Sequence, residues 1–228
     1  MLAMPHITLI NPNTSEDTTA MMTEVARNEL PPGFSVEGKT ARHGVAMILN
    51  ASQLEDAAEE TISIGLLASA KSSGLIISAF GDPGLEKLKA GCSIPVVGIC
   101  EASMLEATVG KRRFGIATLT PELVPSFAAK ADDLDLANLY TGTRLTPGDP
   151  VDLAGSPERL FEALEKAVRE CVHLDGADVV IIGGGPLGQA AHALQKALAV
   201  PIIAPIGSAV RSIVAEITKR AAPAEHPT

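Results

Sequence analysis

Two stretches of this chain share one plan. The first, "GLIISAFGDPGLEKLKAGCSIPVVGICEAS", begins at Gly74, and the second, "DVVIIGGGPLGQAAHALQKALAVPIIAPIGSA", begins 104 residues later at Asp178. Each runs through an apolar strand, a turn of small residues, a proline, a helix, a proline-led strand, a second small-residue turn and a helix. The strand openings "HITLINPNTS", from His6, and "FGIATLTPEL", from Phe114, repeat at a similar offset of 108 residues. Internal repetition on this scale predicts two similar lobes. Within each lobe, short apolar runs alternate with longer stretches of helical period, which means βαβ units and parallel sheets. The near-continuous apolar strands fit sheets covered on both faces. The expected fold is therefore α/β, with two pseudo-symmetric Rossmann-like lobes, parallel sheets and an active-site cleft between them. The last helix is expected to cross back to the first lobe, so that residues 1–99 plus 205–228 form one lobe and residues 100–204 the other.

Strands are expected at 6–10, 74–78, 94–99, 114–118, 136–140, 178–182 and 200–204. Helices are expected from about Ser15, over 53–71, near 83–91, from Glu101, near 121–130, over 157–173 with Ser156 as N-cap, over 186–198 and finally to about 220. The tail "AAPAEHPT" is expected to fray. Ligands of open α/β sheets bind beyond the strand C-termini. Four such ends should face one another here: "NPNTS" (11–15), "SAFGDPG" (78–84), "ATLTP" (117–121) and "GGGPLG" (183–188). Each is followed by a helix start, which supplies free N–H groups and a partial positive charge.

Charge and composition limit the partners. A formal net charge of −9 argues against nucleic acid and anionic membranes, and with one Tyr, five Phe and no Trp there is little to stack bases on. A small anionic substrate remains compatible, because local helix N-termini outweigh a distant net charge. No apolar run approaches the ~20 residues of a membrane span. The opening "MLAMPHITLINPNTS" has no basic region and is interrupted by Pro5 and His6, so no signal peptide is expected and a cytoplasmic location is. Three scattered cysteines and five scattered histidines suggest neither a disulfide framework nor a metal site.

Two motifs carry chemistry. Gly183, Gly185 and Gly188 spell G-x-G-x-x-G after a strand. A dinucleotide loop, however, needs an acidic residue about twenty positions on, and "APIGSA" (204–209) has none. A tight turn accounts for one or two of these glycines, less well for three. In "INPNTS" (10–15) the polar residues either cap the following helix or present amide groups to a carboxylate or cyclic amide, and the two readings stand level.

Taken together, "INPNTS", "FGDPGL" (80–85), "PVVGICEAS" (95–103) and the strand-to-GGGP turn resemble the aspartate/glutamate/hydantoin racemase superfamily, above all its hydantoin and allantoin racemases, over nearly the whole chain. The resemblance implies an inter-lobe active site, cofactor-independent chemistry at a carbon next to a carbonyl, and a homo-oligomer. It also implies two catalytic cysteines, one per lobe, one removing the α-proton and the other returning it. Those positions are Ala79 and Gly184 in this chain, and neither residue can carry a proton.

A different base or acid would then be needed. The candidates are Asp82 (alternatively a cap for the helix opened by Pro83), Cys100 at a neighbouring strand end, Glu101 at a helix start and His43 in the loop after the second strand. Expected substrate-binding residues are Asn11, Asn13, Ser78, Ala79, Phe80, Thr118, Thr120, Gly184, Gly185 and Pro186. The expected activity is hydrolysis or elimination on a small cyclic ureide of hydantoin or thiohydantoin type, or a related amide or carboxylate, with no metal and no cofactor. The alternatives are a racemase or isomerase with another base, and an inactive ligand-binding homologue.

Overall fold

The computed structural model describes residues 4–221, so the tail from residue 222 onward, expected to fray, lies outside the described residues. Among the described residues, eight strands form two four-stranded sheets of matching order. In the first, β1 (His6–Asn11), β2 (Ser35–Thr40), β3 (Gly74–Ile77) and β4 (Val96–Gly98) run β2-β1-β3-β4. In the second, β5 (Phe114–Thr118), β6 (Tyr140–Leu145), β7 (Val179–Ile182) and β8 (Ile202–Ile203) run β6-β5-β7-β8. Every pairing is parallel. The central pairs have equivalent registers, Ile7 opposite Gly74 through Ile10 opposite Ile77, and Phe114 opposite Val179 through Ala117 opposite Ile182. The repeat in the sequence is thus a repeat in space.

The helices are α1 (Glu16–Glu29), α2 (Ala51–Ser69), α3 (Leu85–Gly91), α4 (Ile99–Ala107), α5 (Val124–Asp133), α6 (Pro150–Ala154), α7 (Pro157–His173), α8 (Gly188–Ala197) and α9 (Pro205–Ala221). Local chemistry sets their starts. Ser15 Oγ accepts from Thr18 N at the head of α1, and Asn50 Oδ1 accepts from Gln53 N at the head of α2. Ser156 holds the N-cap position of α7, but its hydroxyl makes no cap bond, and Pro157 starts the helix instead. The strand expected at 136–140 lies later, at Tyr140–Leu145. Its apolar prelude is a turn, Leu136 N to Ala131 O and Leu139 N to Leu136 O, that drops Leu134, Leu136 and Leu139 onto the core. An apolar run read as a strand is here a packed turn, while β6 itself, on the sheet edge, is half-buried up to Arg144 and ends on the exposed Leu145.

α9 leaves the second sheet and packs on α1, β3 and β4 of the first, and on α4, which itself packs against β7 and β8 of the second. Gly74 permits the approach, since a Cβ there would lie 2.8 Å from Ile213 Cγ1. One apolar cluster joins the lobes, holding Ile7, Leu9 and Ile76 from the first sheet beside Phe114, Ile116, Val179 and Ile181 from the second. This shared core fixes the two sets of strand ends against each other, so the cleft is held by packing on both sides.

Candidate active site

The strand ends of the two lobes enclose one cavity of about 650 Å³, its open mouth included. Asn13, Ser78, Ala79 and Phe80 contribute from the first lobe, and Thr120, Gly183, Gly184, Gly185 and Pro186 from the second. The remaining wall is apolar: Leu119, Leu123, Phe127 and Leu187, with Met47 and Ile48 from the β2–α2 segment and Leu54 from the first turn of α2. Phe80 and Phe127 meet edge to face across the lobe boundary, ring centroids 5.0 Å apart. No Asp, Glu, His, Cys, Lys, Arg or Tyr lines this cavity among the described residues.

Hydrogen bonds fix the floor. Ser78 donates twice to Ile10 O, from its backbone N at 2.9 Å and its hydroxyl at 2.7 Å. Across the cleft Thr118 donates to Gly183 O at 2.6 Å, and Gly183 N donates to Ala117 O at 2.9 Å. The three glycines after β7 have separate causes. A Cβ at Gly183 would lie 2.8 Å from Ile116 Cγ2, and one at Gly185 would lie 2.5 Å from Ser78 O and 2.7 Å from Met22 Sδ. Gly184 is extended at φ 166°, a backbone open to any residue, and its Cβ would meet only the flexible Leu187 side chain, 2.9 Å from Cδ1. Gly183 and Gly185 are therefore packing glycines that let the lobes touch, whereas Gly184 is imposed by neither backbone nor rigid neighbours. Gly185→Ala is expected to lower the melting temperature by about 2–12 °C, from an overpacking cost of about 1–3 kcal/mol in a chain of this size. Thermal unfolding followed by circular dichroism checks it, and an unchanged melting temperature refutes the close contact with Ser78.

A family model described as Asp/Glu/Hydantoin racemase matches residues 7–213. The chain belongs to this family. A hydantoin racemase of Rhizobium meliloti is 29% identical over 213 residues, covering 90% of this chain and 86% of its relative. The solved allantoin racemase from Klebsiella pneumoniae superposes with a TM-score of 0.90 at 25% identity, covering 97% of this chain and 91% of that one. An arylmalonate decarboxylase shares the fold at a TM-score of 0.66 and 18% identity, covering 93% of this chain and 92% of its own.

Within this racemase-family fold the residues named from sequence fall into three layers. Asn13, Ser78, Ala79, Phe80, Thr120, Gly184, Gly185 and Pro186 line the cavity together. Asn11 and Thr118 lie directly behind it, bonded to lining residues. Asp82, Cys100, Glu101 and His43 lie outside the lining. Asp82 is buried, with its backbone at φ 53°, and its two carboxylate oxygens accept from Cys100 N at 2.9 Å and Glu101 N at 2.7 Å. It caps α4, not the helix after Pro83, and Gly98 makes room for it, because a Cβ there would lie 2.2 Å from Asp82 Cγ. Burial raises its carboxyl to about 7, against the lowering pull of the two N–H bonds. Cys100 is fully buried behind the same turn, and burial, then the Asp82 charge, raises its thiol well above the ordinary value, so it is an inert core thiol. Glu101 is bonded to Lys89 at 2.8 Å. His43 is exposed, its ring 3.5 Å from Glu60.

Sequence reasoning missed the apolar half of the cavity. One signal was present: Met47, Ile48 and Leu49 form an apolar run just before the Asn50 cap, in a segment otherwise read as loop. Thr14 N donates to Val45 O at 3.0 Å and ties this segment to the "NPNTS" turn, bringing Met47 and Ile48 over the cavity. Among the described residues no group of three or more His, Cys, Asp or Glu could hold a metal ion, and no helix is long and apolar enough to cross a membrane.

Proposed function

We propose that the cleft binds a small neutral cyclic ureide of hydantoin type, and that the chain does not exchange the α-proton of that ligand by the two-thiol route. The observation that carries this reading is the cavity's composition: amide, hydroxyl and backbone polar groups on an apolar wall, with no titratable side chain in the lining. Such a wall favours a neutral ring with carbonyl and N–H edges over an ionised amino acid, because a buried charge without a partner is costly. Ala79 and Gly184 stand where the resemblance to hydantoin racemases puts the two sulfurs, and a methyl group and a hydrogen transfer no protons. Similarity of fold does not impose the reaction.

A second reading has one observation in its favour. With no side chain beyond Cβ at residue 79 and none at 184, the cavity has space beside the ring on both lobes, where water can approach a carbonyl polarised by Asn13 and nearby N–H groups. Attack of that water on the polarised carbonyl, with its proton passing to the ring nitrogen as the amide C–N bond breaks, would give ring-opening hydrolysis.

Incubation of the protein in D₂O with 5-substituted hydantoins, allantoin and 2-thiohydantoins, followed by NMR, separates these readings. Ligand line-broadening or shifts, with α-deuteration no faster than in buffer, is the expected result. A ring-opened or desulfurised product establishes the second reading. Protein-dependent α-deuteration overturns the first, and failure of the whole panel to bind removes the cyclic-ureide assignment.

A further inference from the structure

Asn11 and Asn13 were both read from sequence as ligand contacts, yet their surroundings differ. Asn11 is 1% exposed and spends its whole amide inside the loop. Its Oδ1 accepts from Asn13 N at 3.2 Å; its Nδ2, with two hydrogens, donates one to Asn13 Oδ1 at 2.8 Å and shares the other between Thr19 Oγ1 at 2.9 Å and Ser15 O at 3.1 Å. Asn13 Oδ1 also accepts from Ser15 N at 2.9 Å.

A side-chain amide is ordinarily ambiguous, since its oxygen and nitrogen can be exchanged. Here backbone N–H groups decide. An N–H only donates, so the Asn13 atom facing Ser15 N is oxygen, and the Asn11 atom facing Asn13 N is oxygen too. Both lone pairs of Asn13 Oδ1 are then used, one by Ser15 N and one by Asn11 Nδ2. Asn13 Nδ2 has no protein partner among the described residues, and Asn13 lines the cavity.

We infer that Asn11 is a positioning residue that, together with Ser15 N, locks the Asn13 amide so that it offers the cavity donors only, making this corner select a carbonyl-type acceptor and reject an N–H at the same point. The ligand preference rests on the cyclic-ureide reading of the cavity, whereas the lock itself does not. Asn11→Asp places acceptors where Nδ2 was. The Asn13 amide then turns its NH₂ toward the new carboxylate, a charge-assisted bond that outweighs the lost bond from Ser15 N, and its oxygen toward the cavity. Asn13→Asp keeps both accepted bonds and replaces the cavity donor by an oxygen.

The test pairs ligands that differ in one group: a 5-substituted hydantoin and its 2-imino and 4-imino analogues, in which C=NH stands for C=O. The wild-type protein is expected to prefer the hydantoin about tenfold or more over the analogue altered at the contacted carbonyl, the effect of one desolvated hydrogen bond. Asn11→Asp and Asn13→Asp should reverse that ratio, and Asn11→Ala, which leaves Ser15 N alone to hold the Asn13 oxygen, should lower it without reversing it. A merely structural role for Asn11 would weaken both ligands equally, and that result overturns the proposal. A ligand-free readout runs beside it. The Asn13 side-chain NH₂ pair, identified by its loss in Asn13→Asp, should move downfield and exchange more slowly in Asn11→Asp; an unmoved pair overturns the lock. Where Asn11→Asp does not fold, Asn11→Ala, which leaves one bond in place of two on the Asn13 oxygen, is expected to shift the Asn13 pair and speed its exchange, and a pair at its wild-type position and rate overturns the lock equally. Failure of the wild-type protein to bind any hydantoin ends the ureide reading, and the amide spectra still decide the lock.

Discussion

Cysteines placed at positions 79 and 184 together are expected to turn this chain into a hydantoin racemase, raising α-proton exchange roughly 10²–10⁴-fold above the buffer rate, the range one positioned acid or base contributes. The backbone accepts both changes. Ala79 already has its Cβ, so the substitution adds one sulfur to a cavity wall. Gly184 is extended, and the new Cβ presses only on the end of the Leu187 side chain, 2.9 Å away. Each new thiol also sits in a strand-to-helix turn, where N–H groups favour the thiolate. Neither single variant should invert the α-carbon, because one thiol can remove the proton but none stands on the other lobe to return it. The same cysteine at 185 should fail for a physical reason, having Ser78 O within 2.5 Å of its Cβ. Deuterium incorporation and loss of optical rotation, measured on one enantiomer of a 5-substituted hydantoin, provide the readout. If the double variant folds, both thiols react with a thiol reagent and the hydantoin binds, yet no exchange occurs, the cleft does not present the α-carbon between the two positions.

The fold was legible because its signals are redundant. Apolar runs such as "GLII" and "VVII", each followed by small residues and a proline, recur with the same spacing, and each independently implies a buried parallel strand feeding a helix. The edges were less legible. β2 and β6 are half-buried and polar, so they lack the apolar run, and their place follows from pairing with β1 and β5. For the cavity, position in the motif was a good guide and chemistry a poor one. Residues at strand ends, such as Asn13, Ser78, Thr120 and Gly184, line it. The titratable residues chosen as replacement bases do not, because a carboxylate or thiol in a turn serves equally to satisfy the backbone. Asp82 holds α4, Cys100 fills core, and Glu101 pairs with Lys89. Sequence spacing places such a residue near a site without saying which way its side chain turns. The apolar wall from Met47 to Leu54 depends on the β2–α2 segment folding back over the cleft, a contact between parts of the chain that no local pattern encodes.

Loss of the Asp82 side chain should be the most costly of the substitutions considered for stability. Asp82→Ala leaves the Cys100 and Glu101 N–H groups without an acceptor and opens a void against Gly98, which is expected to cost about 2–4 kcal/mol, or about 5–15 °C in melting temperature. The turn that carries Ala79 should loosen with it, because Asp82 N donates to Ala79 O at 3.0 Å, so hydantoin affinity should fall as well. Asp82→Asn keeps the shape but turns an NH₂ toward one backbone N–H, and should lose less. The same residue sets a pH dependence. Its folded carboxyl is raised by burial to about 7, above an unfolded value of about 3.9. The folded state therefore holds the proton more tightly, and ∂ΔG/∂pH from this group is negative between the two values. Its favourable contribution is complete below about pH 4, declines as pH rises to about 7 and is lost above that. Asp175 and Glu60, lowered chiefly by Arg144 and by the Arg42 backbone N–H respectively, act with the opposite sign and at lower pH, where their bonds are lost as they protonate. The difference in melting temperature between wild type and Asp82→Asn should thus shrink steadily from pH 4 to pH 7. A difference that stays flat across that window would mean the two N–H bonds outweigh burial and keep Asp82 ionised throughout, making it a fixed anionic cap for α4.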